Sequence, residues 1–459
     1  MSDRQTTLTT RARYLVLVTA FLGWFFGGVV MSTSALSMRS ASINLLSRVG
    51  VIDWEQFDHL NTVLQEHKRE PDRPSLTSVE QVQLNDWNRA AQAWFGYYTC
   101  AMLFGAAAGG LLFGRIGDRV GRSSAMAGSI LCYSLLSAVA YFAQTPVQLL
   151  VLWFLACLGV GGMWPNGVAL VSECWSNMSR PMVAGIMGAS ANIGLFAAAT
   201  LGTYINITPE HWRWMLLVCA APIALGVFAL IAVPESPIWL AARARSFDSQ
   251  ATAQMPMQIF RPPLLGTTLI GIALATVPLV GGWGSATWMV PWAAEAGETS
   301  DPPNPKLQAQ VHQYRALPGM LGTFLGGWAA HLLGRRLSFC LMSFGCLVCA
   351  QWIFWFLLPT DPSFLAWVAA LGFFNGFYFG WLPLFLPELF PTAVRATGTG
   401  VSFNFGRFVT AITVFATAAL TAYFGSNYAQ IGRVTSLIFA IGMFAIWLAP
   451  DTSQRQLED

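Results

Sequence analysis

The chain has 459 residues, of which 55% are hydrophobic and only 10% charged. Soluble domains carry roughly 25% charged residues, so this composition cannot supply the water-facing surface of a soluble protein this long. A net charge of +3 without a basic tract gives a nucleic-acid partner no support.

In chain order, apolar stretches of about 20 residues predict twelve membrane spans. Six cover residues 14–38, 92–113, 124–143, 147–171, 183–205 and 212–233. Six more cover 264–292, 315–333, 337–358, 364–386, 398–423 and 430–449. The expected fold class is an all-α membrane protein. The run from Tyr14 is longer than a signal-peptide core and lacks a small-residue cleavage site, so it reads as a retained span. Arg115, Arg119, Arg122, Arg335, Arg336 and Arg395 share one side with both termini. The short loops of the other side hold only Arg213, Lys306, Arg315 and Arg433. Cytoplasmic loops carry the excess of Arg and Lys, which places both termini in the cytoplasm and suits a bacterial inner membrane. Segment 39–90 is the one long hydrophilic excursion between spans, either a small external cap or a mobile loop.

All eight Cys residues lie in or beside apolar stretches and read as small apolar residues. None has zinc-ligand spacing with a nearby His, so no metal site is expected. No nucleophile–base set or nucleotide-binding loop appears. The expectation is therefore no enzyme, no cofactor and no nucleotide.

The chain also repeats itself. Gly114-Arg-Ile-Gly-Asp118-Arg-Val-Gly121-Arg122 returns as Gly327-Trp-Ala-Ala-His331-Leu-Leu-Gly334-Arg335. Glu173 and Arg180 return as Glu388 and Arg395, and Pro234-Glu235-Ser236 as Pro450-Asp451-Thr452. Gly188-Ala-Ser-Ala-Asn192-Ile-Gly-Leu-Phe196 and Gly400-Val-Ser-Phe-Asn404-Phe-Gly-Arg407-Phe408 share five of nine positions. The pairs Gly27-Gly28 and Gly281-Gly282 sit farther apart, and an insertion at 39–90 in one copy accounts for the difference. The predicted architecture is two pseudo-symmetric six-helix bundles, 1–234 and 264–459, joined by a cytoplasmic linker at 235–263. Such repeats rock about a central site in transporters. No channel filter is visible.

At these residues the chain resembles a major facilitator superfamily carrier. Gly114-xxx-Asp118-Arg119-x-Gly121-Arg122 resembles that superfamily's loop 2–3 signature. Pro234-Glu-Ser-Pro-Ile-Trp-Leu240 and Pro387-Glu-Leu-Phe-Pro-Thr-Ala-Val-Arg395 resemble motifs of its sugar-porter and organic-acid branches. The resemblance implies that Asp118, Arg119 and Arg122 latch the two bundles together, with His331 and Arg335 as the altered second-copy set. It also makes Glu173/Arg180 and Glu388/Arg395 gate pairs. Their alternative is a set of surface pairs worth little energetically.

A charge deep within a span is a functional candidate by default. Arg407, about nine residues into span 11, is the clear case. Its acceptor is a substrate carboxylate, a helix carbonyl or another span. Aromatic-acid and sialic-acid carriers show a similar Gly-Arg there, which favours an anionic substrate. Asn404 and Asn192 are repeat mates that either grip a ligand or bond helix to helix. Asn166 follows Trp164-Pro165, where Pro frees a carbonyl. Asn375, Tyr378 and Trp381 share one face of span 10, and Trp283 lies in span 7. No acid lies mid-span after residue 90. Where organic-acid carriers show Phe-Asp-Gly-x-Asp, this chain has Phe26-Gly27-Gly28-Val29-Val30. That departure favours uniport or exchange over proton symport, unless Glu173 or His331 couples.

The sequence thus predicts a membrane-embedded carrier, working as a monomer, that moves an organic anion or sugar acid by alternating access. A neutral sugar porter or proton symporter is the alternative. Drug efflux ranks third, and the short tails disfavour a transporter-like sensor.

Overall fold

A computed structural model describes residues 8–69, 74–175, 180–205, 207–247, 255–300, 304, 307–423 and 428–452. The side chains of Arg180 and Trp283, both named above, lie outside the described set. Among the described residues the secondary structure is helical throughout. Among the described residues, ten helices are long and apolar enough to cross a membrane.

The first half contains α1 (Thr10–Leu36), α2 (Met38–Arg48), α3 (Trp54–Arg69), α4 (Ser78–Val120), α5 (Arg122–Ala140), α6 (Pro146–Cys174), α7 (Arg180–Tyr204), α8 (Trp214–Ala220) and α9 (Ile223–Ala232). Pro222 interrupts predicted span 6 between α8 and α9, because proline cannot donate a backbone N–H. The short α10 (Pro237–Phe247) follows in the linker. The second half contains α11 (Leu264–Thr299), α12 (Leu307–Leu332), α13 (Arg335–Phe356), α14 (Phe364–Glu388), α15 (Arg395–Tyr423), α16 (Tyr428–Thr435) and α17 (Ile438–Ala445). Predicted spans 8 and 11 correspond to α12 and α15. Both are seam helices: α12 meets α7 and α15 meets α4, and both carry polar residues there. Arg315, assigned to an outside loop from sequence, stands inside α12, because that helix begins at Leu307.

Local chemistry fixes several helix starts. The Thr77 side chain accepts from the Glu80 N–H while the Glu80 carboxylate accepts from the Thr77 N–H, so α4 begins well before the membrane. Thr145 and Gln148 start α6 in the same way, with Pro146 in its first turn. Gly121 and Gly334, matching positions of the repeat, take φ of +129° and +79°. A side chain would strain both. These two glycines turn α4 into α5 and α12 into α13.

The described residues of segment 39–90 are largely helical, in α2, α3 and the start of α4. Ile43, Leu46, Ile52, Phe57, Leu60 and Leu84 form an apolar cluster of their own under α2, α3 and the start of α4. Trp212 Nε1 and Arg213 Nη1 donate to Asn44 Oδ1 at 3.3 and 3.2 Å. Arg48 donates to Gln144. These partners all belong to the first half, so the cap is fastened to that half.

Large apolar side chains such as Phe142, Ile231, Leu321, Trp328 and Phe444 are exposed. In a membrane protein this is the lipid-facing surface. Backbone polar groups are satisfied within each helix, as hydrocarbon requires. Glycine lets the helices inside a half approach closely. A Cβ on Gly109 would overlap the Leu158 carbonyl, and one on Gly161 the Ala106 carbonyl, so α4 and α6 cross backbone to backbone. Gly109→Val is expected to lower the melting temperature by several degrees, because overpacking costs about 1–3 kcal/mol or more. Gly128→Ala serves as the control, since its Cβ would meet only Phe113 at 3.7 Å. Thermal unfolding in detergent distinguishes them; equal melting points would refute the close-crossing argument.

Candidate functional site

The first and last described segments of the chain lie at one end of the molecule. Near the N-terminus, the Tyr14 ring meets Trp175 at 5.4 Å. Near the C-terminus, Arg336 donates to the Ala449 carbonyl at 2.6 Å and Thr452 to Glu388 at 2.6 Å. At this end a buried charge network joins the halves. Arg122 is fully buried. It pairs with Asp118 at 3.2 Å and Glu173 at 3.4 Å, and donates to the Thr392 carbonyl of the second half at 2.6 Å. Arg395 of the second half pairs with Glu173 at 2.8 Å. Asp118 accepts from the Ala396 and Thr397 backbone N–H groups at 3.2 and 2.8 Å, and from the Thr397 hydroxyl. It therefore sits on the N-terminus of α15, where the helix dipole favours an anion. Two acids and two bases balance in formal charge.

The sequence paired Glu173 with Arg180 and Glu388 with Arg395. The structure redistributes these partners. Glu173 binds Arg122 and Arg395, while Glu388 holds Arg335 in a fork of 3.2 and 2.8 Å. Each acid ends one helix and each base begins the next, so every group is free to reach a different neighbour. The surface-pair alternative is ruled out by burial: Glu173 and Arg395 are 5% and 1% exposed. The second-copy pair, Arg335 and Glu388, joins α13 to α14 inside one half. His331 is exposed, where a water-facing imidazole needs no protein partner, and does not occupy a place like that of Asp118. Arg119 is exposed too; its carbonyl accepts from Arg243 of α10 at 3.1 Å.

The linker completes this end. The Glu235 carboxylate accepts from the Arg122 and Ser123 N–H groups at 2.9 and 3.1 Å, capping α5 where Gly121 has no side chain to do so. Burial pushes the Glu235 carboxyl above the usual range, and these backbone hydrogen bonds oppose that rise. Trp239 Nε1 donates to the Asp118 carbonyl at 3.0 Å, covering the end of α4. Sequence reasoning quoted Glu235 only as part of a motif. Its signal was the missing cap at Gly121.

Deeper along the seam stands Arg407, only 5% exposed. Its Nη1 donates to Asn404 Oδ1 at 2.6 Å and its Nη2 lies 3.6 Å from Met31 Sδ on α1. The guanidinium lies 5.1 Å from the Phe403 ring centroid and 5.9 Å from that of Trp24. Phe403 in turn stacks on Trp164 of the first half at 3.9 Å and 15°. Among the described residues no carboxylate pairs with Arg407. The cation is thus held by one amide, one thioether and aromatic faces. It can take a further charge-assisted hydrogen bond. Trp24 and Met31 were missed from sequence. Their separation of seven residues, two helical turns on one face of α1, was the available signal.

Asn404 is fully buried, and its Nδ2 donates to the Gly161 carbonyl of α6 at 3.1 Å. That carbonyl is the one Pro165 frees four residues on. Asn192 donates to Thr323 Oγ1 of α12 at 3.1 Å. The two repeat mates therefore both bond across the halves, the helix–helix alternative, and Asn404 in addition orients Arg407. Asn166 donates to the carbonyls of Phe113 and Gly162 at 3.0 and 2.8 Å, inside the first half. Tyr378 donates to Ser343 at 2.7 Å and Trp381 to the Arg335 carbonyl at 3.1 Å, both fully buried. Tyr378 and Trp381 belong to helix packing, because their face of α14 turns toward α13, and Asn166 packs α6 against α4. Asn375 stands apart from Tyr378 and Trp381: it is half-buried, beside Gly282 of α11.

The close approaches between the halves lie toward the terminus-bearing end of each helix. Side chains added at Gly114, Gly185 and Gly188 would press on Ala396, Phe324 and Thr323 across the seam. The halves are thus sealed at the terminus-bearing end, below Arg407.

Comparison with known proteins agrees with this arrangement. Residues 15–414 match the family model of the Major Facilitator Superfamily. The chain is 29% identical to the cis,cis-muconate transport protein of Acinetobacter baylyi, over 68% of this chain and 74% of that protein. It is 25% identical to the niacin transporter NiaP of the same species, over 82% and 89%. Among solved structures, the proton:xylose symporter XylE superposes with a TM-score of 0.69 at 15% identity, covering 97% of this chain and 98% of that one. The human organic anion transporter MFSD10 gives 0.68 at 14% identity, covering 96% and 100%. The chain belongs to the major facilitator superfamily.

Proposed function

We propose that this carrier moves a small organic anion across the membrane by alternating access, as a uniporter or exchanger, with the substrate carboxylate bound by Arg407. The observation that carries this reading is a buried guanidinium at the seam with no carboxylate partner among the described residues. A buried cation is costly unless something pairs with it, and a bound carboxylate supplies that pair. The relatives named for the transport of muconate and of niacin support a small carboxylate substrate.

The division into bundles 1–234 and 264–459 belongs to the same reading, with twelve spans and the terminus-bearing end in the cytoplasm of a bacterium. The network of Asp118, Arg122, Glu173 and Arg395 then acts as the cytoplasmic latch. It holds an outward-facing state, and rocking the halves breaks its cross-half bonds. The described acids of the network sit at that end, away from Arg407, which supports transport without an internal proton carrier.

The test is counterflow uptake in proteoliposomes over matched sugars, sugar acids and aromatic carboxylates, with and without a pH gradient. A carboxylate is expected to exchange at a rate that ignores the gradient. Accumulation of a neutral sugar, with every carboxylate inert, would sink the anion reading.

A further inference from the structure

The substrate contact above uses one arginine, Arg407, and α12 holds another that neither that contact nor the latch uses. Arg315 is half-buried, and its Nη1 donates to the Gly282 carbonyl of α11 at 3.3 Å. No carboxylate pairs with it among the described residues. Asn375 of α14 faces the same glycine. A Cβ on Gly282 would lie 3.0 Å from Asn375 Nδ2 and 3.3 Å from its Oδ1. The Oδ1 is buried and has no hydrogen-bond partner. A half-turn of the amide presents Nδ2 in its place, since the two ends are interchangeable in shape. Three helices thus bring a guanidinium and an unpartnered amide to one point, the second glycine of Gly281-Gly282.

Contacts along α11 place this point relative to Arg407. Gly406, the neighbour of Arg407, packs on Thr276 and Leu279. Gly282 lies three to six residues farther along α11, which is about 5–9 Å at 1.5 Å per residue. The direction is away from the sealed, terminus-bearing end. Arg407 in turn reaches α1 at Met31 and Trp24, on either side of Gly27-Gly28. The two unpaired cations therefore stand near the glycine pairs of the two repeat copies, one step apart along the seam.

We propose that Arg315 and Asn375 form a second anion contact, and that the preferred substrate is a short dicarboxylate with one carboxylate on Arg407 and the other on Arg315. The inference rests on the anion reading of Arg407 and extends it. Two cations without a carboxylate partner among the described residues, at adjacent depths, match two negative charges on one solute. A monocarboxylate leaves the outer cation unpaired. Each matched charge-assisted contact adds affinity, so the second carboxylate raises selectivity as well.

The test uses acids that differ only in the second carboxylate: adipate against hexanoate, and terephthalate against benzoate. Each competes in counterflow and is titrated by thermal shift on the purified full-length carrier. Wild type, Arg315→Gln, Arg315→Lys and Arg407→Gln run in parallel. Arg315→Gln is expected to weaken the dicarboxylates at least tenfold and to change the monocarboxylates less than twofold. Retained monocarboxylate uptake also certifies that the variant is folded. Arg315→Lys is expected to recover part of the dicarboxylate preference. If Arg315→Gln weakens both classes equally, or neither, the second contact is refuted. If Arg407→Gln leaves all four acids unaffected, the anion reading itself fails, an outcome distinct from the loss of Arg315 alone.

Discussion

Arg407→Gln is expected to weaken carboxylate binding about 10- to 100-fold without lowering the melting temperature. A hydrogen bond to a charged group contributes about 1.5–3 kcal/mol, and each 1.4 kcal/mol is a factor of ten in affinity. Glutamine is shorter, but its amide still donates toward Asn404 Oδ1, the one strong acceptor that Arg407 has. Asn404 keeps its own bonds to the Gly161 and Gly400 carbonyls. Removing a buried cation that lacks a carboxylate partner relieves desolvation, so stability holds or rises. Isothermal titration and thermal unfolding on the same preparation separate the two effects. A fall in melting temperature with affinity unchanged would make Arg407 a structural residue and remove the basis of the proposed site.

Glu173→Gln is expected to shift the carrier out of the state sealed at the terminus-bearing end. Glu173 touches an arginine of each half, Arg122 at 3.4 Å and Arg395 at 2.8 Å. Removing one partner from a buried ion pair costs about 3–5 kcal/mol, because the remaining charges stay buried. If that cost falls on the sealed state alone, the balance between states moves by roughly two to four powers of ten. Thr399→Cys is a suitable reporter in a variant lacking the native cysteines. Thr399 is fully buried near the start of α15, so it is protected while the end is sealed. Its reaction with a membrane-impermeant maleimide should speed up strongly in Glu173→Gln. An unchanged rate would mean that Glu173 braces the helices without gating. The second-copy pair supplies the contrast: Glu388 and Arg335 lie in one half, so Glu388→Gln should lower stability with little effect on labelling.

The amino-acid sequence by itself determined the membrane location, the helix positions and the internal repeat. Each depends on local quantities: apolar runs of span length, turn glycines and charges at helix ends. It also singled out Arg407, because a charge within an apolar run is visible without any neighbour. Tertiary structure decided the partners. Glu173 and Arg395 lie far apart along the chain yet share a bond, since ion pairing depends on distance in space and repeat symmetry does not dictate it. Asn192 and Asn404 match in sequence but differ in surroundings. Only Asn404 meets a carbonyl freed by proline, so only Asn404 is drawn fully inside. Tyr378, Trp381 and Asn166 carry the residue types of a binding face, but helix rotation turned them into packing. The same rotation brought Trp24 and Met31 to Arg407. The 39–90 segment became a cap because its scattered apolar residues gather into a cluster only after α2, α3 and α4 fold back on one another. Helix formation is a property of a stretch of chain, whereas the contents of a site depend on which faces of several helices meet.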